Sequence, residues 1–131
     1  MKRIFYSLLA LFAPLSTISA DNAVPEGEAV GIVAHRGYWN CEAGGRARNS
    51  LAAFKAAHEA GFWGTEFDVS MTADGELIVF HDETLRGKRI DHTDWAEIAD
   101  HRLENGETIP RLDEFLAHAN RQKNFPMLVF E

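Results

Sequence analysis

Short apolar runs alternate with amphipathic stretches along most of this chain. Four runs are predicted as strands, and the first has the apolar density of a strand buried on both faces. They are residues 30–34, 65–69, 77–80 and 127–130. Amphipathic stretches separate several of these runs, and strands that alternate with helices are typical of βα units. The pattern therefore predicts an α/β domain built on a parallel sheet.

Three stretches carry signals for the start of a helix. Asn49 or Ser50 caps the first, and Asp94 with Glu97 opens a short second one in the manner of a capping box. Pro110 opens the third. The residues at helical spacing are Leu51, Phe54 and His58 in the first helix and Leu112, Phe115, Leu116 and Ala119 in the third. Asp74-Gly75 predicts a tight turn before the strand at residues 77–80.

The first 20 residues have a different character. Lys2 and Arg3 precede an apolar stretch that is broken by Pro14, and small residues then lead to Ala20. This order is typical of a secretory signal. A membrane anchor is the alternative, but it needs about 20 apolar residues, more than this stretch offers. We expect cleavage near Ala20, a mobile leader at residues 21–29, one domain at residues 30–131, and a periplasmic or secreted product.

The composition of the chain makes some classes of binding partner unexpected. The chain has 131 residues, a net charge of −7 and 46% hydrophobic residues, which predicts a soluble, mildly acidic domain. No basic stripe is visible, so nucleic acid is not an expected partner, and no stable membrane insertion is expected of the mature chain. The only cysteine, Cys41, excludes an intrachain disulfide. We expect Cys41 to be incidental; the alternative is a nucleophile activated by His35.

Acidic side chains lie where the predicted strands end, which is where barrel enzymes place their chemistry. Glu66 and Asp68 are two residues apart, so both carboxylates project from the same face of an extended strand. Glu131 follows the last apolar run. Three carboxylates supply the hard oxygen donors that Mg²⁺ or Ca²⁺ requires. The usual zinc-ligand spacings are missing from the sequence, so zinc is a weaker candidate.

Imidazole and guanidinium groups follow the same apolar runs. Histidine is the residue type most often used as a general acid or base, so His35 and His81 can act as an acid and base pair. Arg36 offers a planar fork that matches phosphate oxygens, and Gly37 lets the backbone approach closely. Together with a cation, these residues predict metal-assisted hydrolysis or elimination at a phosphoryl group.

The same residues carry a family resemblance. In order, the chain contains His35-Arg36-Gly37, Asn49-Ser50-Leu51-Ala52-Ala53-Phe54, Glu66-Phe67-Asp68-Val69, Thr72-Ala73-Asp74-Gly75 and Leu77-Ile78-Val79-Phe80-His81-Asp82. This combination resembles the glycerophosphodiester phosphodiesterase family, from Val30 to Glu131. The resemblance implies the N-terminal portion of a (βα)₈ barrel, a divalent-metal site, and hydrolysis of a glycerophosphodiester to sn-glycerol 3-phosphate and an alcohol.

The resemblance also implies a role for each site residue. His35 and His81 are the general acid and base, Arg36 binds phosphate, and Glu66, Asp68 and Glu131 ligate the metal. Glu131 is assigned by matching the last apolar run to the family strand that ends in an acidic ligand.

Two departures from the family affect the interpretation. Where the family has Pro-Glu-Asn-Thr, this chain has Ala47-Arg48-Asn49-Ser50, which replaces an acid with a base. Arg48 either favours a more anionic head group or points to solvent, and we expect solvent. A closed barrel takes about 250 residues, so we expect this chain to be truncated near the middle of the barrel.

Two other functions remain open: a barrel relative that binds phosphate and metal without turnover, and a phosphodiesterase that acts on membrane phospholipid head groups. Residues outside the motifs are expected to be structural. They are His58, His92, His101 and His118, as surface or satisfied residues, and Trp39, Trp63 and Trp95, as packing residues. Trp39 is the exception that could also line the alcohol side of the pocket.

Overall fold

The computed structural model describes residues 31–121 in full and the backbone of residues 127–130. The predicted signal, the predicted leader and Glu131 lie outside the described residues. In chain order the elements are β1 (Val33–Ala34), α1 (Leu51–Glu59), β2 (Gly64–Phe67), β3 (Val69–Met71), β4 (Leu77–Val79), β5 (Thr84–Leu85), β6 (Lys88–Arg89), a 3-10 helix (Ile90–His92), α2 (Trp95–Ile98), α3 (Leu112–Ala119) and β7 (Met127–Phe130).

A parallel sheet in the order β1-β2-β7 positions the site. Ala34 pairs with Thr65 at the end of β1, and Phe67 pairs with Phe130 at the end of β7. Helix α1 connects β1 to β2, as expected for a βα unit. The α/β prediction is confirmed, and the described residues do not form a closed barrel.

The β1-β2-β7 sheet is parallel as predicted, but the fold also contains two separate antiparallel pairs of strands. β3 and β4 form an antiparallel hairpin across the Asp74-Gly75 turn, and β5 and β6 form a second one. The predicted strand at residues 65–69 is broken at Asp68, which separates β2 from β3. The predicted strand at residues 30–34 is shortened to β1. Apolar density alone does not show where backbone pairing changes partners.

The helices differ from the predictions mainly at their first turns. Ser50 caps α1, and its side chain accepts a hydrogen bond from the Ala53 amide. Helix α2 follows Asp94, but Asp94 makes no side-chain capping bond, so the predicted capping box is wrong. The Trp95 amide instead donates to Asp74 Oδ1 at 3.0 Å. Helix α3 begins at Leu112, two residues after Pro110.

Two hydrophobic clusters form the core. The first contains Phe54, Phe67, Val79, Phe115 and Ala119 and joins α1 and α3 to the sheet. The second contains Ile78, Leu85, Ile90, Ile98 and Ile109 and supports the hairpins and α2. The first cluster holds the strand that carries Glu66, because Phe67 is fully buried within it. Of the helices in residues 31–121, none has the length and apolar character needed to cross a membrane.

Candidate active site

The turn after β1 is folded tightly against α1 and β2. Arg36 and Gly37 both have positive φ values, 56° and 79°. The Gly37 amide lies 3.2 Å from the carbonyl oxygens of both Ala34 and Glu66. A Cβ at Gly37 would lie 2.8 Å from the Ala53 Cβ and 2.9 Å from the Ala53 backbone carbon. Glycine is therefore required for this approach to α1.

Arg36 contacts two acids, Glu66 in β2 and Asp68 directly after that strand. Its backbone amide donates to Glu66 Oε2 at 2.8 Å. Its Nε atom lies 3.4 Å from Asp68 Oδ2, which is an ion pair without hydrogen-bond geometry. The Arg36 backbone thus orients one carboxylate while its guanidinium neutralises the other. This pair uses Nε, so the terminal guanidinium nitrogens are the atoms that could receive a phosphate.

Asp68 is hydrogen-bonded to Asn49, which the sequence predicted only as a possible helix cap. The Asn49 side-chain amide donates to Asp68 Oδ2 at 2.8 Å, and the Asp68 backbone amide donates to Asn49 Oδ1 at 3.3 Å. Asn49 is 4% exposed. The family motif Asn49-Ser50 was a sequence signal that Asn49 matters, but the sequence did not indicate its contact with Asp68, 19 residues away.

The acids and the histidines differ in exposure. The side chains of Glu66 and Asp68 are 12% and 13% exposed, whereas that of His35 is 69% exposed. His35 Nε2 lies 3.8 Å from Glu66 Oε2. The carboxylates are therefore held inside the protein, while His35 is accessible to a substrate.

His81 follows β4 and reaches the same region through the backbone. The Phe80 amide donates to the Asp68 carbonyl at 3.1 Å, which ties the residue before His81 to Asp68. His81 Nδ1 lies 2.7 Å from Asp82 Oδ1, and the His81 side chain is 46% exposed. Asp82 was quoted in the sequence motif without a role, and this hydrogen bond orients the imidazole ring.

The residues present are chemically suited to a divalent cation. Glu66 Oε1 is buried and has no hydrogen-bond partner among the described residues. A buried carboxylate oxygen of this kind is costly unless a cation or donor neutralises it. Residues 31–121 hold no cluster of three or more metal-ligating side chains. The third predicted ligand, Glu131, lies outside the described residues, so the predicted triad stays a prediction.

Arg48 packs on an aromatic ring. Its guanidinium carbon lies 4.4 Å from the centre of the Trp39 ring. The residue is exposed, in line with the expected solvent orientation, and the ring gives it a fixed support. Trp39 packs against a neighbouring side chain as expected.

Other residues have structural contacts. Cys41 Sγ donates to the Tyr38 carbonyl at 3.0 Å and accepts from the Gly44 amide at 3.1 Å, inside the loop before Asn49. His101 packs edge-on against Phe80 and His118 against Phe54. Burial, and next the nearby Lys55, lower the pKa of His118 below its usual value. These contacts match the structural roles expected for the histidines.

Comparison with known proteins decides the family. Residues 35–129 match the glycerophosphoryl diester phosphodiesterase family. The chain belongs to this family. The match spans His35, Arg36, Glu66, Asp68 and His81, so the resemblance noted in the sequence is confirmed. The individual roles of these residues stay predictions.

Curated and solved relatives extend the comparison. The chain is 33% identical over 129 residues to glycerophosphodiester phosphodiesterase 1 of Bos taurus, a match that covers 86% of this chain and 38% of the bovine protein. It superimposes on a glycerophosphodiester phosphodiesterase from Parabacteroides distasonis with a TM-score of 0.70 and 42% identity, covering 75% of this chain and 40% of that one.

A third relative carries a ligand. A phosphodiesterase from Oleispira antarctica, solved in complex with the product sn-glycerol-3-phosphate, matches with a TM-score of 0.59 and 28% identity. The match covers 78% of this chain and 44% of that one. The chain thus spans less than half the length of each relative described here.

Proposed function

We propose that the protein is a metal-dependent phosphodiesterase that hydrolyses glycerophosphodiesters to sn-glycerol 3-phosphate and an alcohol, with Mg²⁺ or Ca²⁺ as cofactor. One observation carries the proposal. In a chain of this family, Arg36 contacts both Glu66 and Asp68, so a phosphate-binding group and two partly buried carboxylates share one end of β2. The product bound by the Oleispira antarctica relative agrees with this substrate class.

Glu66, Asp68 and Glu131 would hold the cation. When bound, a divalent cation supplies positive charge beside the phosphoryl group. Arg36 binds and orients the phosphate through its guanidinium, and its ion pair with Asp68 limits the positions of that side chain. The hydrolysis adds water to the phosphorus centre and expels the alcohol, which leaves as a neutral molecule after it gains a proton.

His35 and His81 carry out the proton transfers. One imidazole removes a proton from the attacking water, and the other delivers a proton to the leaving alkoxide. The hydrogen bond to Asp82 favours the proton on His81 Nδ1, which leaves Nε2 for transfer. Both imidazoles are accessible to a substrate, because their side chains are 69% and 46% exposed.

Hydrolysis of glycerophosphocholine by the complete product of the gene tests this proposal. We expect turnover with Mg²⁺ or Ca²⁺ that stops when a chelator is added. His35→Ala and His81→Ala should each lower kcat by at least about 100-fold, because each removes a proton-transfer group. His92→Ala is the matched control, because His92 is exposed and lies in the 3-10 helix outside the site.

Other outcomes would favour the remaining functions. Binding of sn-glycerol 3-phosphate without turnover would indicate a non-catalytic relative. Turnover of phospholipid bilayers, with none of glycerophosphocholine, would indicate a head-group phosphodiesterase.

The place of action is part of the proposal. The apolar stretch before Ala20 supports export with cleavage near that residue, which would place the mature protein in the periplasm or outside the cell. N-terminal sequencing of the protein from the producing cell tests this. An intact Met1 in the mature product would contradict it.

A further inference from the structure

Asn49 occupies an unusual position for a polar side chain. It is 4% exposed and its φ value is +57°, in the left-handed region that few residues other than glycine and asparagine adopt readily. A buried amide in this conformation is retained when its contacts over-determine it, and such positions cluster at functional sites.

The hydrogen bonds of Asn49 join it to two residues of the candidate site, Arg36 and Asp68. Its backbone amide donates to the Arg36 carbonyl at 3.0 Å, which closes the base of the loop at residues 37–48. Its side chain both donates to and accepts from Asp68. Ser50, the next residue, is fixed as the cap of α1. Asn49 is thus anchored by a helix on one side and by the phosphate-binding turn on the other.

We propose that Asn49 is a positioning residue that fixes the Asp68 carboxylate for cation binding. This inference rests on the proposed function. Asn49 and Arg36 both contact Oδ2 of Asp68. Within the described part of the chain, these contacts leave Oδ1 as the oxygen available to a cation. A carboxylate that is oriented before the cation arrives binds it more tightly than one that must be ordered on binding.

Because Asn49 has a positive φ value, its side chain can be removed without straining the backbone. Glycine adopts positive φ values without strain, so Asn49→Gly keeps the backbone and removes only the side chain. Arg46→Gly is the matched control. Arg46 lies in the same loop, is exposed, and has a φ value of +62°. Both variants replace a left-handed residue with glycine, but only one removes a contact to Asp68.

Cation binding, measured by titration calorimetry on the complete product of the gene without substrate, tests the proposal. We expect Asn49→Gly to weaken Ca²⁺ or Mg²⁺ binding by about 10-fold to 100-fold, the range for residues that orient metal ligands. Arg46→Gly should bind as the unchanged protein does. Equal affinity in Asn49→Gly and Arg46→Gly would overturn the proposal while leaving the proposed function in place.

A second variant covers the case in which Asn49→Gly does not fold. Asn49→Asp has the same shape and keeps an acceptor for the Asp68 amide, but it replaces the amide donor to Asp68 Oδ2 with a carboxyl group that repels Asp68 when ionised. We expect kcat to fall by at least about 10-fold at saturating cation, with KM for the diester little changed. An unchanged kcat would overturn the proposal. Failure of the unchanged protein to bind any divalent cation would instead overturn the proposed function, and this inference with it.

Discussion

Glu66 and Asp68 are equally buried but are not equally neutralised by the protein. Asp68 has the Arg36 guanidinium and the Asn49 amide beside it. Glu66 Oε2 accepts from the Arg36 backbone amide and lies 3.8 Å from His35 Nε2, but its Oε1 atom is buried without a hydrogen-bond partner in the described region. Because an uncompensated buried carboxylate is costly, Glu66 is the residue from which a bound cation would remove the largest penalty.

Glu66→Gln tests this difference. The amide oxygen of glutamine still accepts from the Arg36 backbone, but the variant has no charge to offer a cation. We expect cation-dependent turnover to fall by at least about 100-fold and the melting temperature without cation to stay the same or rise. Activity assays and thermal unfolding measure the two effects. Glu104→Gln, an exposed change outside the motifs, is the control. Full activity in Glu66→Gln would exclude Glu66 as a ligand.

The sequence predicts the site residues better than the contacts between them. The strand-end pattern indicated His35, Glu66 and His81, because the chemistry of each residue type and its place after an apolar run are both local. Asn49 was missed as a site residue. Its partner, Asp68, lies 19 residues away, and local sequence does not show which side chains tertiary packing brings together.

At the scale of elements, a side chain of the β3–β4 turn, and not the residue before α2, accepts the hydrogen bond at the start of α2. Thr72 Oγ1 donates to Asp74 Oδ1 at 2.5 Å, and the Trp95 amide at the start of α2 donates to the same oxygen. The hydrogen bond from Thr72, and next that from Trp95, lower the pKa of Asp74. Local pattern favoured Asp94 as the cap, because only the fold brings the β3–β4 turn to α2.

Asp74→Asn should therefore lower the stability of the fold at pH 7, whereas Asp94→Asn should leave it nearly unchanged. The folded-state pKa of Asp74 lies below its unfolded value of about 3.9, so the stabilisation is present above that pH and is lost as the pH falls through the folded-state pKa. The difference between Asp74→Asn and the unchanged protein should shrink in strong acid. Thermal unfolding over a pH series measures this. A larger effect from Asp94→Asn would contradict the structure.

At the scale of the molecule, two hydrophobic clusters stabilise different parts of the fold. One fixes β2 between α1 and α3, and the other supports the hairpins that return the chain to the site at His81. The α/β class and the parallel pairing of β1, β2 and β7 follow from the alternation of strands and helices. The turn between β3 and β4 was predicted from Asp74-Gly75, but the β5–β6 hairpin was not, because its strands are only two residues long and carry no apolar run.

The central claim is that a cation and a phosphate meet at the ends of β1 and β2. A crystal structure of the complete product of the gene with Ca²⁺ and sn-glycerol 3-phosphate tests it most directly. We expect Ca²⁺ in contact with Glu66 and Asp68 and the phosphate within hydrogen-bond distance of the Arg36 guanidinium. Ca²⁺ bound away from both carboxylates, or a phosphate that does not reach Arg36, would contradict it.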